Sequence, residues 1–278
     1  MAEAIQSLTN QRFRELLKSL SGISLPEGKV AMIEQRLRRR VVLARLPNTE
    51  TYLQELMQGK LGQEEIKVVL DLLTTNTTSF FREAEHFDFL TDVALKEFLD
   101  RTANDRRKFK VWSAASSEGA EAFTAAMVLN EAAIRRKFEW AILGTDISRR
   151  MVQRANQAIY EAEQIKLIPR NLSSKYFMRG TAPEVATKVR VVPELRRRVK
   201  FRHMNLMDPT YPLDRDINVI FLRNVLIYFD ADDKSAVVRR MQDHLAPGGY
   251  LITGHAESMV VRSEGLEHVQ PTIFKKAL

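Results

Sequence analysis

The stretch VWSAASSEGAEAF, residues 111–123, decides how the rest of the chain reads. An apolar run with Val111 and Trp112 stops at five small residues, passes Gly119 and continues into helix-forming sequence. That is the layout of a strand, loop and helix built around a nucleotide. A phosphate cradle of this type offers several glycines and free backbone N–H groups. Here a lone glycine is flanked by Glu118 and Glu121, and both carboxylates would repel a pyrophosphate in a partly dry pocket.

Alternating strand-like and helical runs follow, which predicts an α/β domain with a doubly wound, Rossmann-like sheet. Residues 109–115 read as a strand, 119–136 as a helix, and 138–146 (FEWAILGTD) as a second strand ending in Asp146. The nearly continuous apolar run 218–224 (NVIFLRN) suits a strand buried on both faces. Asp230 caps the next helix, whose Val238, Met241 and Leu245 face inward, and Gly248 and Gly249 turn the chain into a further strand. An acidic residue ending the second strand is placed to accept hydrogen bonds from two ribose hydroxyls. Asp146 with an acidic first loop therefore favours a nucleoside whose other end is cationic, as in S-adenosylmethionine. Two plainer readings stand beside this one: Glu118 and Glu121 complement a helix macrodipole, and Asp146 caps the helix that begins near Ser148.

Residues 1–75 carry only helical periodicity and predict a separate all-α domain ahead of a second domain over 76–278. Phe13, Leu16, Leu17 and Leu20 stripe a first helix that stops at Gly22. Ile33, Leu37, Val41 and Ala44 stripe a second; Tyr52, Leu53, Leu56 and Met57 a third; Ile66, Val69, Leu70 and Leu73 a fourth. Residues from about 175 to 202 break the alternating rhythm and predict a small antiparallel β insert.

With 45% hydrophobic and 28% charged residues among 278, the composition is that of a globular protein. No stretch reaches the roughly 20 apolar residues of a membrane span, and the first 30 lack a secretory segment, so a cytoplasmic location is expected. The absence of cysteine excludes disulfides and thiolate chemistry. The five histidines never fall at metal-ligand spacing, so no metal site is expected, and a formal charge of +8 points to an acidic partner.

Six blocks carry a resemblance: TTNTTSFFRE (74–83), WSAASSEGAEAF (112–123), ILGTDIS (142–148), NLSSKYFMRG (171–180), NLMD (205–208) and LRNVLIYFD (222–230). In order and approximate spacing they resemble the CheR family, the chemotaxis-receptor protein-glutamate O-methyltransferases, over nearly the whole chain. The resemblance implies a class I methyltransferase fold that uses S-adenosylmethionine and releases S-adenosylhomocysteine. It implies a cofactor site of Asn76, Thr78, Arg82, Glu121, Asp146, Asn205, Leu206, Arg223 and Asn224, with Arg82, Arg223 and Tyr228 at the reacting methyl. Arg223 is expected to hold the incoming glutamate and Tyr228 to orient it. The first loop departs from the family at Glu118, Ala120, Ala122, Phe123 and Thr124, and Phe123 lacks the hydroxyl of the family's tyrosine.

The family's receptor-recognition helix matches the second helix, where Arg36, Arg39 and Arg40 share a face with Arg38 and Arg45 beside it. The implied partner is the acidic cytoplasmic coiled coil of a methyl-accepting chemotaxis receptor, to which the protein would be recruited at the membrane without inserting into it. The insert resembles the β-subdomain that in some members binds a receptor's C-terminal peptide, although it keeps only Gly180 of the glycines that let a backbone approach. Two alternatives remain. A nucleic-acid methyltransferase would also be basic, but RNVLIYF lacks the proline-containing motif of amino-methylating enzymes and few aromatics are offered for stacking. A non-catalytic signalling module would keep the fold with the altered first loop.

Overall fold

The structure, a computed structural model, describes residues 2–74, 76–102, 107–257 and 264–278. Thr75, where the expected domain boundary falls, lies outside them.

Four helices open the chain: α1 (Ala2–Ser21), α2 (Val30–Leu43), α3 (Thr49–Met57) and α4 (Gln63–Leu73). The expected stripes converge on one apolar core of Phe13, Leu17, Ile33, Leu37, Tyr52, Leu53, Val69 and Leu73. Leu20 departs from its stripe and is exposed. Gly22, at φ +73°, ends α1 in the left-handed conformation, where a Cβ would also run into Met207 and Phe229.

A helical stretch that the sequence reading did not assign comes next. It runs through α5 (Glu85–Phe89), a π turn (Leu90–Ala94) and α6 (Leu95–Arg101). The remaining elements are β1 (Phe109–Ala114), α7 (Ala120–Arg135), β2 (Trp140–Asp146), α8 (Arg149–Gln157), β3 (Ile159–Glu161), α9 (Arg170–Tyr176), β4 (Phe177–Arg179), β5 (Lys188–Val191), α10 (Pro193–Arg198), β6 (Val199–His203), β7 (Ile217–Leu222), α11 (Ala231–His244), β8 (Leu245–Thr253), β9 (Leu266–Gln270) and β10 (Ile273–Lys276).

Seven strands form one sheet in the order β6-β2-β1-β7-β8-β10-β9, parallel except where β10 pairs antiparallel with β8 and β9. Period-two alternation sorts the central strands onto two cores. Phe109, Val111, Val219, Phe221, Tyr250 and Ile252 join the core under α7 and the π turn. Trp112, Ala114, Ile220, Leu222 and Leu251 join the core under α11. Both faces are therefore buried, which is why these strands read as continuous apolar runs. β1 pairs β2 on one side and β7 on the other, so the strand order reverses at β1 and opens a crevice at its carboxyl end.

The insert differs from its expected limits of 175–202. The antiparallel sheet is β3-β5-β4, starting at Ile159, while Val199–His203 leaves it to become the edge strand of the main sheet. In β6 Val199 and Phe201 are buried against α7 and α8, whereas Lys200 and Arg202 point out. Arg196, Arg197 and Arg198 lie on α10 rather than on a strand edge, and Arg198 pairs with Glu139 at 3.1 Å. Leu245 also moves, from the inward face of a helix to the first residue of β8.

Candidate active site

A cavity of about 480 Å³ lies at the carboxyl ends of β1, β2, β6 and β7. Ala115–Ser117, Asp146, Met204–Leu206 and Arg223–Val225 form its floor. The helical domain closes the other side with the link between α1 and α2 (Ile23–Pro26) and with Lys29, Met32 and Arg36. All the residues expected to meet a cofactor or the reacting methyl line this one space: Asn76, Thr78, Arg82, Glu121, Asp146, Asn205, Leu206, Arg223, Asn224 and Tyr228.

The turn after β1 is folded against its preferences, since Ala115 and Ser117 have φ of 55° and 50°. Three bonds hold it: Ser116 N–H donates to Thr145 O (2.8 Å), Ser117 N–H to Asp146 Oδ2 (2.8 Å) and Ser117 Oγ to Asn76 O (2.7 Å). Gly119 closes the turn at φ +90°, with the Phe201 ring where a Cβ would be. Asp146 takes a second backbone bond from Ser148 N–H at 2.8 Å, while Ser148 itself caps α8 through Met151 N–H. Burial pushes the Asp146 carboxyl up to about 6, against the pull of the two N–H donors. Two acceptor positions remain on a carboxylate with four.

Arg223 is buried between two carboxylates, its side chain 2% exposed. Nη1 donates to Glu121 Oε2 at 3.0 Å, Nη2 lies 3.2 Å from Glu83 Oε2 and donates to the Arg82 carbonyl, and the guanidinium sits over the Phe87 ring at 5.6 Å. Glu121 also accepts from Ser113 Oγ at 2.7 Å; burial raises its pKa, and Arg223 opposes the rise. Nη1 and Nη2 thus tie Arg223 to Glu121 and Glu83, while its Nε has no hydrogen-bond partner among the described residues. Arg82 is different, with a side chain 40% exposed at the cavity. The Tyr228 hydroxyl makes no hydrogen bond among the described residues, and the Tyr228 carbonyl accepts from Ser24 N–H at 2.8 Å. Asn205 bridges the domains by donating from Nδ2 to Leu20 O at 2.7 Å.

Residues 76–274 match the family described as "CheR methyltransferase, SAM binding domain", and residues 10–74 match "CheR methyltransferase, all-alpha domain". The chain belongs to the CheR methyltransferase family. It is 37% identical over 267 residues to chemotaxis protein methyltransferase 2 of Pseudomonas aeruginosa, covering 96% of this chain and 92% of that protein. It is 34% identical to the chemotaxis protein methyltransferase of Escherichia coli K12 (89% and 83% covered) and 31% identical to that of Borreliella burgdorferi (97% and 95%). S-adenosylmethionine is thus the cofactor of the fold, and the crevice of this CheR-family chain has fitting groups. Ser116 Oγ is buried at the cavity with no hydrogen-bond partner among the described residues, Asp146 keeps acceptor positions beyond its two backbone bonds, and Met204 and Leu206 supply apolar wall.

Several expectations for this CheR-family chain change with the fold. Glu118 does not line the cavity and is held by Gln164 (2.6 Å) and Arg154 (3.4 Å), so among the described residues only Glu121 and Asp146 supply acid to the crevice. Phe123 is buried against Phe201 and Tyr160, so the missing hydroxyl is not a missing cavity contact. Two of the five arginines assigned to a partner are engaged inside. Arg36 Nη1 donates to the carbonyls of Leu72 (3.3 Å), Leu73 (2.8 Å) and Thr74 (3.1 Å) at the end of α4, where a cation complements the helix dipole. Arg40 pairs with Glu65, which also accepts from the Tyr52 hydroxyl. Arg38, Arg39 and Arg45 remain exposed.

Glu83, His86, the α1–α2 link and Glu257 were not singled out from the sequence. Glu83, His86 and His255 bring ligand-type atoms within 4.8 Å of one another, a grouping that sequence spacing could not reveal and on which the expectation of no metal did not draw. Glu83 Oε2 lies 3.2 Å from Arg223 Nη2 and 3.5 Å from His86 Nδ1. Burial and the Arg223 charge push His86 down to about 4, so the ring is neutral at neutral pH, with Nε2 2.7 Å from Thr272 Oγ1.

Proposed function

We propose that this protein transfers the methyl group of S-adenosylmethionine to glutamate side chains on the cytoplasmic helices of a chemotaxis receptor, giving glutamate methyl esters. The observation that carries the reading is a crevice lined by Glu121, Asp146, Arg82 and Tyr228, with no histidine among its described lining residues. A glutamate with a pKa near 4.3 is already ionised at neutral pH, so such a nucleophile needs no general base. The cofactor supplies an electrophilic methyl on a sulfonium, a positive charge that acidic residues favour and a pyrophosphate lacks.

The chain's own groups bind, orient and exclude water. Asp146 and Asn205 hold the nucleoside, with Leu206 and Met204 as the apolar wall. Glu121, locked by Arg223, and Arg82 flank the amino-acid end. Tyr228 presents its hydroxyl to the incoming carboxylate. The link Ile23–Pro26 closes over the site, and lower water content strengthens the attraction between the carboxylate and the sulfonium. Incubation with radiolabelled methyl donor and receptor-containing membranes tests this: base-labile label on the receptor is expected, and base-stable label or none contradicts it.

Receptor recognition is assigned to the exposed arginines Arg38, Arg39 and Arg45, in a cytoplasmic protein recruited to membrane receptors. No helix among the described residues is long and apolar enough to cross a membrane. The edge strands β3 and β4 have three residues each, little backbone for a peptide to pair with, so the reading places recognition on α2.

A further inference from the structure

We infer that Glu257, fully buried in the 3₁₀ turn His255–Glu257 that follows β8, is a positioning residue for methyl transfer, acting by holding the turn that carries Tyr228; this rests on the methyltransferase reading above. Glu257 is 0% exposed. Its carboxylate gathers three backbone N–H groups: Leu226 onto Oε1 at 2.7 Å, and Asn224 (2.7 Å) and Gly254 (2.8 Å) onto Oε2. Three backbone donors converging on one buried carboxyl group form a network that fixes one backbone geometry.

What is fixed is the segment following β7. Asn224 sits at φ +57°, a left-handed conformation that asparagine adopts more readily than other side-chain-bearing residues and that the bond from its N–H to Glu257 holds in place. Leu226 begins the 3₁₀ turn Leu226–Tyr228. At one end of the segment Arg223 is clasped by Glu121 and Glu83; at the other the Tyr228 carbonyl accepts from Ser24 of the helical domain. Glu257 therefore grips the middle of a stretch whose ends are both at the crevice, yet it does not line the crevice itself. Gly254 completes the clasp: a Cβ there would come 2.6 Å from Asn224 Nδ2 and 2.9 Å from Glu257 Oε2.

The test separates positioning from general destabilisation. In Glu257→Gln the amide NH₂ must face at least one of the three N–H donors, which loosens the turn. Gly254→Ala wedges the same contact with the carboxylate intact. Leu195→Ala, in the buried core of α10, serves as the stability control. At temperatures well below each Tm, Glu257→Gln and Gly254→Ala should lower kcat roughly tenfold or more, because small misplacements of reacting groups are costly. S-adenosylhomocysteine affinity, set mainly by Asp146, Asn205, Leu206, Glu121 and Arg82, none of which Glu257 touches, should stay within about threefold, and receptor KM likewise. Glu257→Asp, with a shorter carboxylate, should fall between Gln and wild type. Leu195→Ala should lose Tm with kcat retained. Unchanged kcat in Glu257→Gln or Gly254→Ala, or a kcat loss that merely follows Tm as in the control, overturns the assignment. Failure of the wild-type protein to methylate receptor would instead count against the underlying reading.

Discussion

The crevice and the outer face of α2 are both rich in arginine, yet they use it in opposite ways. At the crevice, Arg223 is 2% exposed and matched to two carboxylates and a carbonyl. On α2, Arg38 and Arg39 are exposed, as is Arg45 just past its end, while Arg36 and Arg40 one turn apart are drawn inward to α4. A buried guanidinium without partners would be prohibitive, so burial forces pairing and makes the residue architectural. A solvated one costs little to leave unpaired and stays available to an acidic partner. Residue type alone does not separate these roles; depth does.

The largest expected effect sharpens the buried side of that contrast. Arg223→Ala removes the buried cation that Glu83 and Glu121 share and should cost about 3–5 kcal/mol in urea denaturation. A loss below about 1 kcal/mol would show that the three groups are not coupled in the way their distances suggest.

Asp146→Asn comes next. Replacing a charged acceptor by a neutral one should weaken S-adenosylhomocysteine binding by about 1.5–3 kcal/mol in calorimetry. In the wild type the same residue sets a pH dependence. The folded carboxyl titrates at about 6, above an unfolded value near 3.9, so the ligand-free protein holds an extra proton between those values. Its stability contribution from Asp146 therefore declines as pH rises through that window. A ribose that donates hydrogen bonds prefers the carboxylate, so affinity should rise about tenfold per pH unit below 6, flatten above it, and lose this profile in Asp146→Asn.

Tyr228→Phe should lower turnover about tenfold with cofactor affinity unchanged, consistent with a hydroxyl that has no hydrogen-bond partner among the described residues. An unchanged rate would remove it from the chemistry. The smallest effect belongs to the exposed face: Arg38→Glu with Arg39→Glu should reduce receptor methylation several-fold at low salt and less at high salt, with Tm preserved. Equal loss at all salt concentrations would mean that these side chains do more than attract.

Much of this was legible in the sequence because it depended on periodicity. The four helical stripes and the apolar strands flanking Gly119 announced their elements, and Asp146 declared itself by ending a strand beside a glycine-poor loop. The helical stretch from Glu85 to Arg101 was not read, and its π turn departs from the regular helical period. The run Val199–His203 alternates as an edge strand of either sheet would, and only pairing with β2 decides which sheet takes it. Glu83, Arg223 and Glu257 acquire their meaning through contacts 31 to 141 residues apart, so no local window could reveal the clasp or show that Arg223 is turned inward.

The most direct measurement is a crystal structure with S-adenosylhomocysteine. The account predicts the ribose hydroxyls on Asp146, the base against Leu206 beside Asn205, and the amino-acid end between Glu121 and Arg82, with the Arg223 clasp intact beneath. A ligand lodged elsewhere, or bound in this crevice with Asp146 and Glu121 turned away, would contradict it.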